Sequence, residues 1–255
     1  MLARARTLDA DEAIVDLENA VADADKDAAR ELAVAALRAG PLAATTALRV
    51  NARSTSWWED DLRAAAEARP EVVVLPKVES PEDVAAAAGL LPDGVGLEAQ
   101  IETARGLVEA ERIAAAGHGL ETLVLGPADL AASLGVPVLT IGAGTAEYAM
   151  ARVAAAARAF GLQPIDGPYA VLDDEPGLAA AARRALAHGY DGKWVIHPSQ
   201  IEPVNRVFTP SEEEIERAER ILAAAHGATR FEGELVDAAS QRLAEALLRR
   251  AGRLS

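Results

Sequence analysis

Two short apolar runs each lead into an acid, and in each a helical pattern follows at once. They are Gly96-Leu97-Glu98-Ala99-Gln100-Ile101-Glu102 and Leu123-Val124-Leu125-Gly126-Pro127-Ala128-Asp129. Acids at successive strand ends of a β/α chain point toward one mouth. A carboxylate pair with open space above it suits a hard cation such as Mg²⁺, which takes oxygen ligands and keeps waters that a substrate can displace. Glu102 and Asp129 are therefore the candidate metal ligands. Arg49 lies in a third such run, Thr45 to Asn51. Its guanidinium is always charged and can hold a carboxylate or an enolate through two donors. It can equally form a rim ion pair with Asp16 or Glu18, which lie two apart and share a strand face. Those two acids either hold waters around a metal or pair with Arg49 and Lys77.

Other residues that catch the eye read more plainly. His197 before Pro198 has the look of a catalytic base, though such a histidine more often braces a rim by hydrogen bonding, and Trp57-Trp58 read as packing residues or as part of a nucleotide pocket. Glu212-Glu213-Glu214 is the solvated first turn of a helix, where negative charge suits the dipole. Gly142-Ala143-Gly144 is not a phosphate loop, since it has neither the P-loop Lys-Ser/Thr nor GxGxxG.

The elements that must position these residues alternate along the chain. Strands are expected over 12–17, 45–51, 72–75, 95–101, 121–125, 163–166 and 193–196, as apolar runs bounded by turn signals. Helices are expected over 26–39, 57–68, 104–116, 145–160 and 175–188. One more opens at Ser80-Pro81, with Ser80 as N-cap and proline in the first turn. A short helix follows Asp129, and residues 134–143 read as a loop over the mouth. Thr209-Pro210-Ser211-Glu212 reads as a capping box opening a helix to about 225. The tail, 229–255, ends in an amphipathic helix. Strict alternation implies a parallel sheet with helical crossovers. A (β/α)₈ barrel needs eight strands with its active site at their C-terminal ends, so a first strand is missing from the front of this chain.

The chain has 255 residues, 51% of them hydrophobic. That suits one barrel-sized core. It has no cysteine, so disulfides, zinc-thiolate sites and thiol nucleophiles are excluded. A net charge of −15 argues against nucleic acid or an anionic membrane as partner. With neither a leader nor a long apolar run, a cytoplasmic protein is expected.

In order along the chain, Ile14-Val15-Asp16-Leu17-Glu18-Asn19, Leu48-Arg49-Val50-Asn51, Leu75-Pro76-Lys77-Val78-Glu79, Ile101-Glu102-Thr103-Ala104-Arg105-Gly106, Gly126-Pro127-Ala128-Asp129-Leu130, Ile165-Asp166-Gly167-Pro168-Tyr169, Gly192-Lys193-Trp194-Val195-Ile196-His197-Pro198 and Phe231-Glu232-Gly233-Glu234-Leu235-Val236-Asp237 resemble the citrate lyase beta-subunit-like proteins of the HpcH/HpaI aldolase and CoA-ester lyase group. The ordered set, rather than any one motif, makes the resemblance specific. It implies a TIM-type barrel over 1–228 and a C-terminal arm, 229–255, that packs on a neighbouring subunit in a homotrimer or hexamer. It implies a Mg²⁺-dependent lyase that splits a β-hydroxyacyl thioester, on CoA or a carrier, into acetyl-CoA and a 2-oxo acid. It places the metal on Glu102 and Asp129, substrate on Arg49 and Glu102, and catalysis on Arg49 and on Asp237, offered by the arm to the neighbour. The chain departs from the family in lacking the first strand, with its Pro-Gly loop and arginine, and in carrying Asn19 and Ala128 where many members have acids. Two other functions are compatible with the pattern: an aldolase acting on free 2-oxo acids, and a non-catalytic barrel relative.

Overall fold

The computed structural model describes residues 5–137, 147–224 and 227–254. Its contacts divide the chain into two compact units, residues 1–204 and 205–255.

The first unit is built on seven parallel strands: β1 (Glu12–Asp16), β2 (Thr45–Arg49), β3 (Val72–Leu75), β4 (Gly96–Ile101), β5 (Leu120–Leu125), β6 (Gln163–Asp166) and β7 (Gly192–Lys193). They pair in chain order from β1 to β7. Their crossovers carry α1 (Lys26–Arg38), α2 (Trp58–Ala68), α3 (Pro81–Ala88), α4 (Ala104–Ala114), α5 (Pro127–Ser133), α6 (Glu147–Ala159) and α7 (Glu175–Ala187). The sheet curls on itself in a TIM-barrel-like way. Trp194, just past β7, packs with Ile14 of β1 against Ala47 of β2 and Val72 and Val74 of β3, strands far from β7 in the sheet order.

The alternation of side chains along each strand makes the inner face layered. Glu12 and Glu98 lie toward the strand starts, Ile14, Ala47 and Val74 in the middle, and Asp16, Arg49, Gln100 and Glu102 at the C-terminal ends. The other face is apolar. Val15, Leu48, Val73, Leu97 and Leu123 are all buried there, as expected for a sheet covered by helices. Close packing fixes one glycine: a Cβ at Gly106 in α4 would stand 2.4 Å from the Val78 carbonyl oxygen.

The second unit includes α9 (Glu212–Ala224), a hairpin of β8 (Thr229–Phe231) and β9 (Glu234–Val236), and α10 (Ala238–Arg250). Helices α9 and α10 share a core of Ile215, Ala218, Ala244 and Leu248. The hairpin turns through Glu232 and Gly233, both at positive φ, which matches the right-handed twist of its strands. In sequence, α8 (Ile201–Phe208) precedes α9.

Several boundaries differ from the sequence reading. The last barrel strand covers only Gly192–Lys193; Trp194 beyond it still donates its N–H to the Asp166 carbonyl at 2.8 Å while its ring packs in the barrel interior. Asp129 is not at a strand end. Pro127 opens α5 directly after Gly126, so Asp129 falls in the first helical turn, where proline is well accommodated. Ser211, not Thr209, is the reciprocal partner at the start of α9: the Glu214 carboxylate accepts from the Ser211 N–H, and the Ser211 hydroxyl accepts from the Glu214 N–H. Helix α8 is hidden in the sequence by Pro203, which is tolerated in a first turn where no N–H partner is needed. The contacts start the C-terminal unit at Asn205, ahead of the arm expected at 229, because α9 packs on α10. The loop expected over 134–143 lies, from residue 138, outside the described residues.

The lower layer of the barrel has an unusual electrostatic make-up. Glu12 and Glu98 face each other with no basic partner among the described residues, and an oxygen of each makes no hydrogen bond. Burial first, and then the Glu12 charge, push Glu98 up to about 8, because both disfavour the ionised form. As pH rises from the ordinary value of 4.5 toward 8, the unfolded chain ionises while folded Glu98 keeps its proton, so stability falls across that window. Glu98→Gln removes Glu98's part of this loss, while Glu12, pushed up to about 7 by burial, keeps its own. Urea denaturation should show the variant more stable than the parent by about 1–3 kcal/mol at pH 8, with the gap closing near pH 5.

Candidate metal and acid cluster at the barrel mouth

The mouth is assembled from the ends of β1 to β5. Glu102 directly follows β4 and is only 2% exposed. Its Oε1 accepts from the Lys77 N–H at 2.9 Å, and its Oε2 accepts from Gln100 Nε2 at 3.1 Å. Gly126 makes room for it. A Cβ there would stand 2.3 Å from Glu102 Oε2 and 2.5 Å from Glu102 Cβ. Asp129 projects from the first turn of α5, one-third exposed.

Arg49 ends β2 and is gripped by Asp16 at the end of β1, its partner in register. Nε donates to Asp16 Oδ1 at 2.7 Å and Nη2 to Oδ2 at 2.5 Å. This is a two-pronged charged pair, stronger and more directional than a single bond. The remaining nitrogen, Nη1, lies 3.3 Å from both Gln100 Oε1 and Glu18 Oε2. Burial works against the Arg49 charge, but the bonds to Asp16 outweigh it and hold Arg49 above its ordinary value, as opposite charge favours the ionised form. The Trp194 ring centre lies 5.7 Å from the guanidinium carbon and covers it from the β7 side, within reach of a cation–π attraction.

Lys77, just past β3, joins the carboxylates. Its ammonium pairs with Glu18 Oε1 and lies 3.5 Å from Asp129 Oδ1. Its backbone sits at φ 51°. That is the left-handed region, which a lysine enters only when its surroundings hold it there. Beneath, Lys26 is buried and donates from Nζ to the carbonyls of Leu17 and Glu18 at 2.8 and 2.6 Å, fixing the loop that carries Glu18. Asp61, fully buried in α2, accepts from the Asn51 backbone and side chain and from Arg30, which anchors the chain leaving β2.

Four carboxylates, Asp16, Glu18, Glu102 and Asp129, thus face two cationic side chains, Arg49 and Lys77. The imbalance is felt at the most buried member. Desolvation first, then the charges of Asp129 and Glu18, push Glu102 up to about 7, since each works against a second negative charge. The donor set is all oxygen, and Glu18 Oε2, though buried, makes no hydrogen bond. Hard oxygen donors with an excess of negative charge fit a hard divalent cation held by one or two carboxylates. Asp16 is committed to Arg49, which leaves Glu18, Glu102 and Asp129 as the carboxylates that could hold it, although no group of three or more metal-binding side chains forms among the described residues.

The structure therefore brings together Glu102, Asp129 and Arg49. Asp237 belongs to the C-terminal unit, where it caps α10 by accepting from the Ala239 and Ser240 N–H groups at 2.9 and 3.1 Å. Those bonds, Ser240 first, hold its carboxyl below the usual range. The rim pairing of Arg49 with Asp16 and of Lys77 with Glu18, one of the two roles open to these acids in the sequence, is the arrangement observed. The sequence reading misses Gln100, although its spacing of two from Glu102 on one strand face signals it. His197 braces its turn, bonding Ser199 through Nδ1.

Gly126 adopts φ −94°, which alanine tolerates, so Gly126→Ala tests the collision with Glu102 alone. Chemical denaturation should show a loss of about 1–3 kcal/mol, typical of overpacking.

Comparisons with known proteins identify the family. Residues 1–198 match the HpcH/HpaI aldolase/citrate lyase family, and residues 146–253 match a family described as a carbon–carbon bond lyase of the TIM-barrel fold. The chain is 36% identical to an L-malyl-CoA/beta-methylmalyl-CoA lyase of Cereibacter sphaeroides, over 96% of this chain and 89% of that one. It is 40% identical to a (3S)-malyl-CoA thioesterase of the same organism, over 90% of this chain and 80% of that one. Among solved structures, CitE of Mycobacterium tuberculosis in complex with magnesium, acetoacetate and coenzyme A is 40% identical with a TM-score of 0.83, covering 95% of this chain and 90% of that one. On this evidence the chain belongs to the HpcH/HpaI aldolase/citrate lyase family, as a citrate lyase beta-subunit-like CoA-ester lyase.

Proposed function

We propose that this protein is a Mg²⁺-dependent carbon–carbon lyase that splits a β-hydroxyacyl-CoA thioester of the malyl-CoA type into acetyl-CoA, or a related acyl thioester, and a 2-oxo acid. The observation that carries the metal reading is buried Glu102 beside Asp129 in a cluster with more carboxylates than cations. The thioester reading is supported by similarity to relatives named as malyl-CoA lyases and to a structure that holds coenzyme A.

Glu102 and Asp129 would hold the cation, which when bound supplies Lewis-acid polarisation of the oxygens of the 2-oxo acid half. The rest falls to the chain's own side chains. Asp16 locks two prongs of Arg49, so the guanidinium is fixed before substrate arrives, and its Nη1 side turns toward Gln100 and Glu18. A pre-set positive group of this kind stabilises the enolate oxygen of the departing thioester without reorganising during the reaction. The same guanidinium, with Glu102, positions the substrate.

Asp237 is our proton carrier, delivered by the C-terminal arm to a neighbouring copy. Its cap hydrogen bonds keep it ionised, the form that accepts a proton. Leu235 on β9 and Leu243 on α10 are 69% and 73% exposed. Large apolar side chains left open in this way support packing between copies in a homotrimer or hexamer.

A second reading is hydrolysis of the same thioester, favoured by the similarity to a (3S)-malyl-CoA thioesterase. Product analysis separates the two. Purified protein given the thioester and Mg²⁺ should release a 2-oxo acid, trapped as its hydrazone, in step with acetyl-CoA. Free CoA with an intact hydroxy acid would instead establish hydrolysis. Glu102→Gln and Asp129→Asn should each cut kcat/KM at least about a hundredfold, since each removes charge from the group that polarises the substrate. Full activity in either variant would overturn the assignment.

A further inference from the structure

The geometry points to Lys77 as a built-in counter-ion of the mouth: its ammonium stands between Glu18 and Asp129 in the space an arriving divalent cation must take over, so that metal binding and release of Lys77 from Asp129 are one event. This inference rests on the proposed roles of Glu102 and Asp129 as metal ligands.

Three observations carry it. Lys77 touches all three acids outside the Arg49–Asp16 pair: Glu18 and Asp129 through its ammonium, and Glu102 through its own N–H. The two ammonium contacts are unequal. Glu18 is directly hydrogen-bonded and its side chain only 8% exposed, whereas Asp129 is at 3.5 Å and its side chain 34% exposed. Asp129 is thus the partner that can be surrendered. The backbone contact does not depend on the ammonium, so Glu102 keeps its orientation when the side chain moves. Lys77 itself is 31% exposed, which leaves its head group room to move.

A cation already in the cluster opposes a second one. Removing it leaves the carboxylates closer to bare, raises their attraction for a divalent ion, and costs the metal-free protein the charge that holds the acids together. A lysine that merely propped Glu18 in place would have the opposite signature, since its loss would disorder the ligands and weaken the metal.

Lys77→Met keeps the stem and removes the charge, and Lys77→Arg keeps the charge. Calorimetric titration of Mg²⁺ into the full-length, chelator-stripped proteins should give an affinity about tenfold tighter for Lys77→Met than for the parent. Lys77→Arg should stay within about twofold of the parent, as a retained like charge requires. Thermal melts should show stripped Lys77→Met below the parent, with Mg²⁺ raising its midpoint by more than it raises the parent's. Equal or weaker binding by Lys77→Met, with a parent that does bind, overturns the counter-ion role and leaves the metal site standing. Should neither protein bind Mg²⁺, or should Glu102→Gln bind it as the parent does, the metal reading itself falls and takes this inference with it.

Discussion

The dominant constraint on this structure is the burial of like charge at the strand ends. Glu102 is almost wholly enclosed, shares its surroundings with Asp129 and Glu18, and is held by two neutral donors, the Lys77 N–H and Gln100. Such an arrangement is destabilising by itself, because an ionised group loses hydration that neighbouring carboxylates cannot restore. Much of the surrounding architecture offsets it. Asp16 is matched by Arg49, Glu18 by Lys77 and Arg49, and the loop beneath Glu18 is tied down by a buried lysine. Two cationic side chains are shared among four acids, so negative charge stays in excess at the mouth.

The barrel scaffold makes that strain tolerable. Its outer strand face is packed with aliphatic side chains against helices, and glycines sit where backbones meet closely, at Gly106 and Gly126. The lower interior layer, with Glu12 and Glu98, is a second place where carboxylates are enclosed, there with no cation beside them among the described residues. The two layers are separated by aliphatic residues, and they differ in kind. The upper one opens to solvent through Asp129 and Lys77, while the lower has no basic partner among the described residues.

Much of this was legible in the sequence, for identifiable reasons. Strands β1 to β6 were legible as short runs with a buried aliphatic outer face, as a sheet covered by helices requires, whereas β7 shares only Lys193 with the run expected at 193–196. Glu102 was visible as the acid closing such a run. Asp129 was visible too, but its placement was not: the helix expected to follow it starts at Pro127 and takes the acid into its first turn. The roles of Gln100 and Lys77 depend on which side chains a curled sheet brings face to face. Pairings such as Arg49 with Gln100, 51 residues apart, leave no local trace. The β8–β9 hairpin, in contrast, was missed despite its Glu232-Gly233 turn, because two three-residue strands carry too little pattern to be read.

The order of the sheet has a further consequence, for how the protein is made. Every strand pairs only with its neighbours in the chain, so each can dock on its predecessor as it emerges from the ribosome, without waiting for a distant segment. The mouth cluster runs from Asp16 to Asp129, so all of its charged members precede β6 and β7 in the chain. The arginine and lysine that temper its acids, Arg49 and Lys77, lie between the first acid and the last. The charges that offset the cluster's self-repulsion thus come from the same stretch of chain as the acids, and not from the later strands or the C-terminal helices.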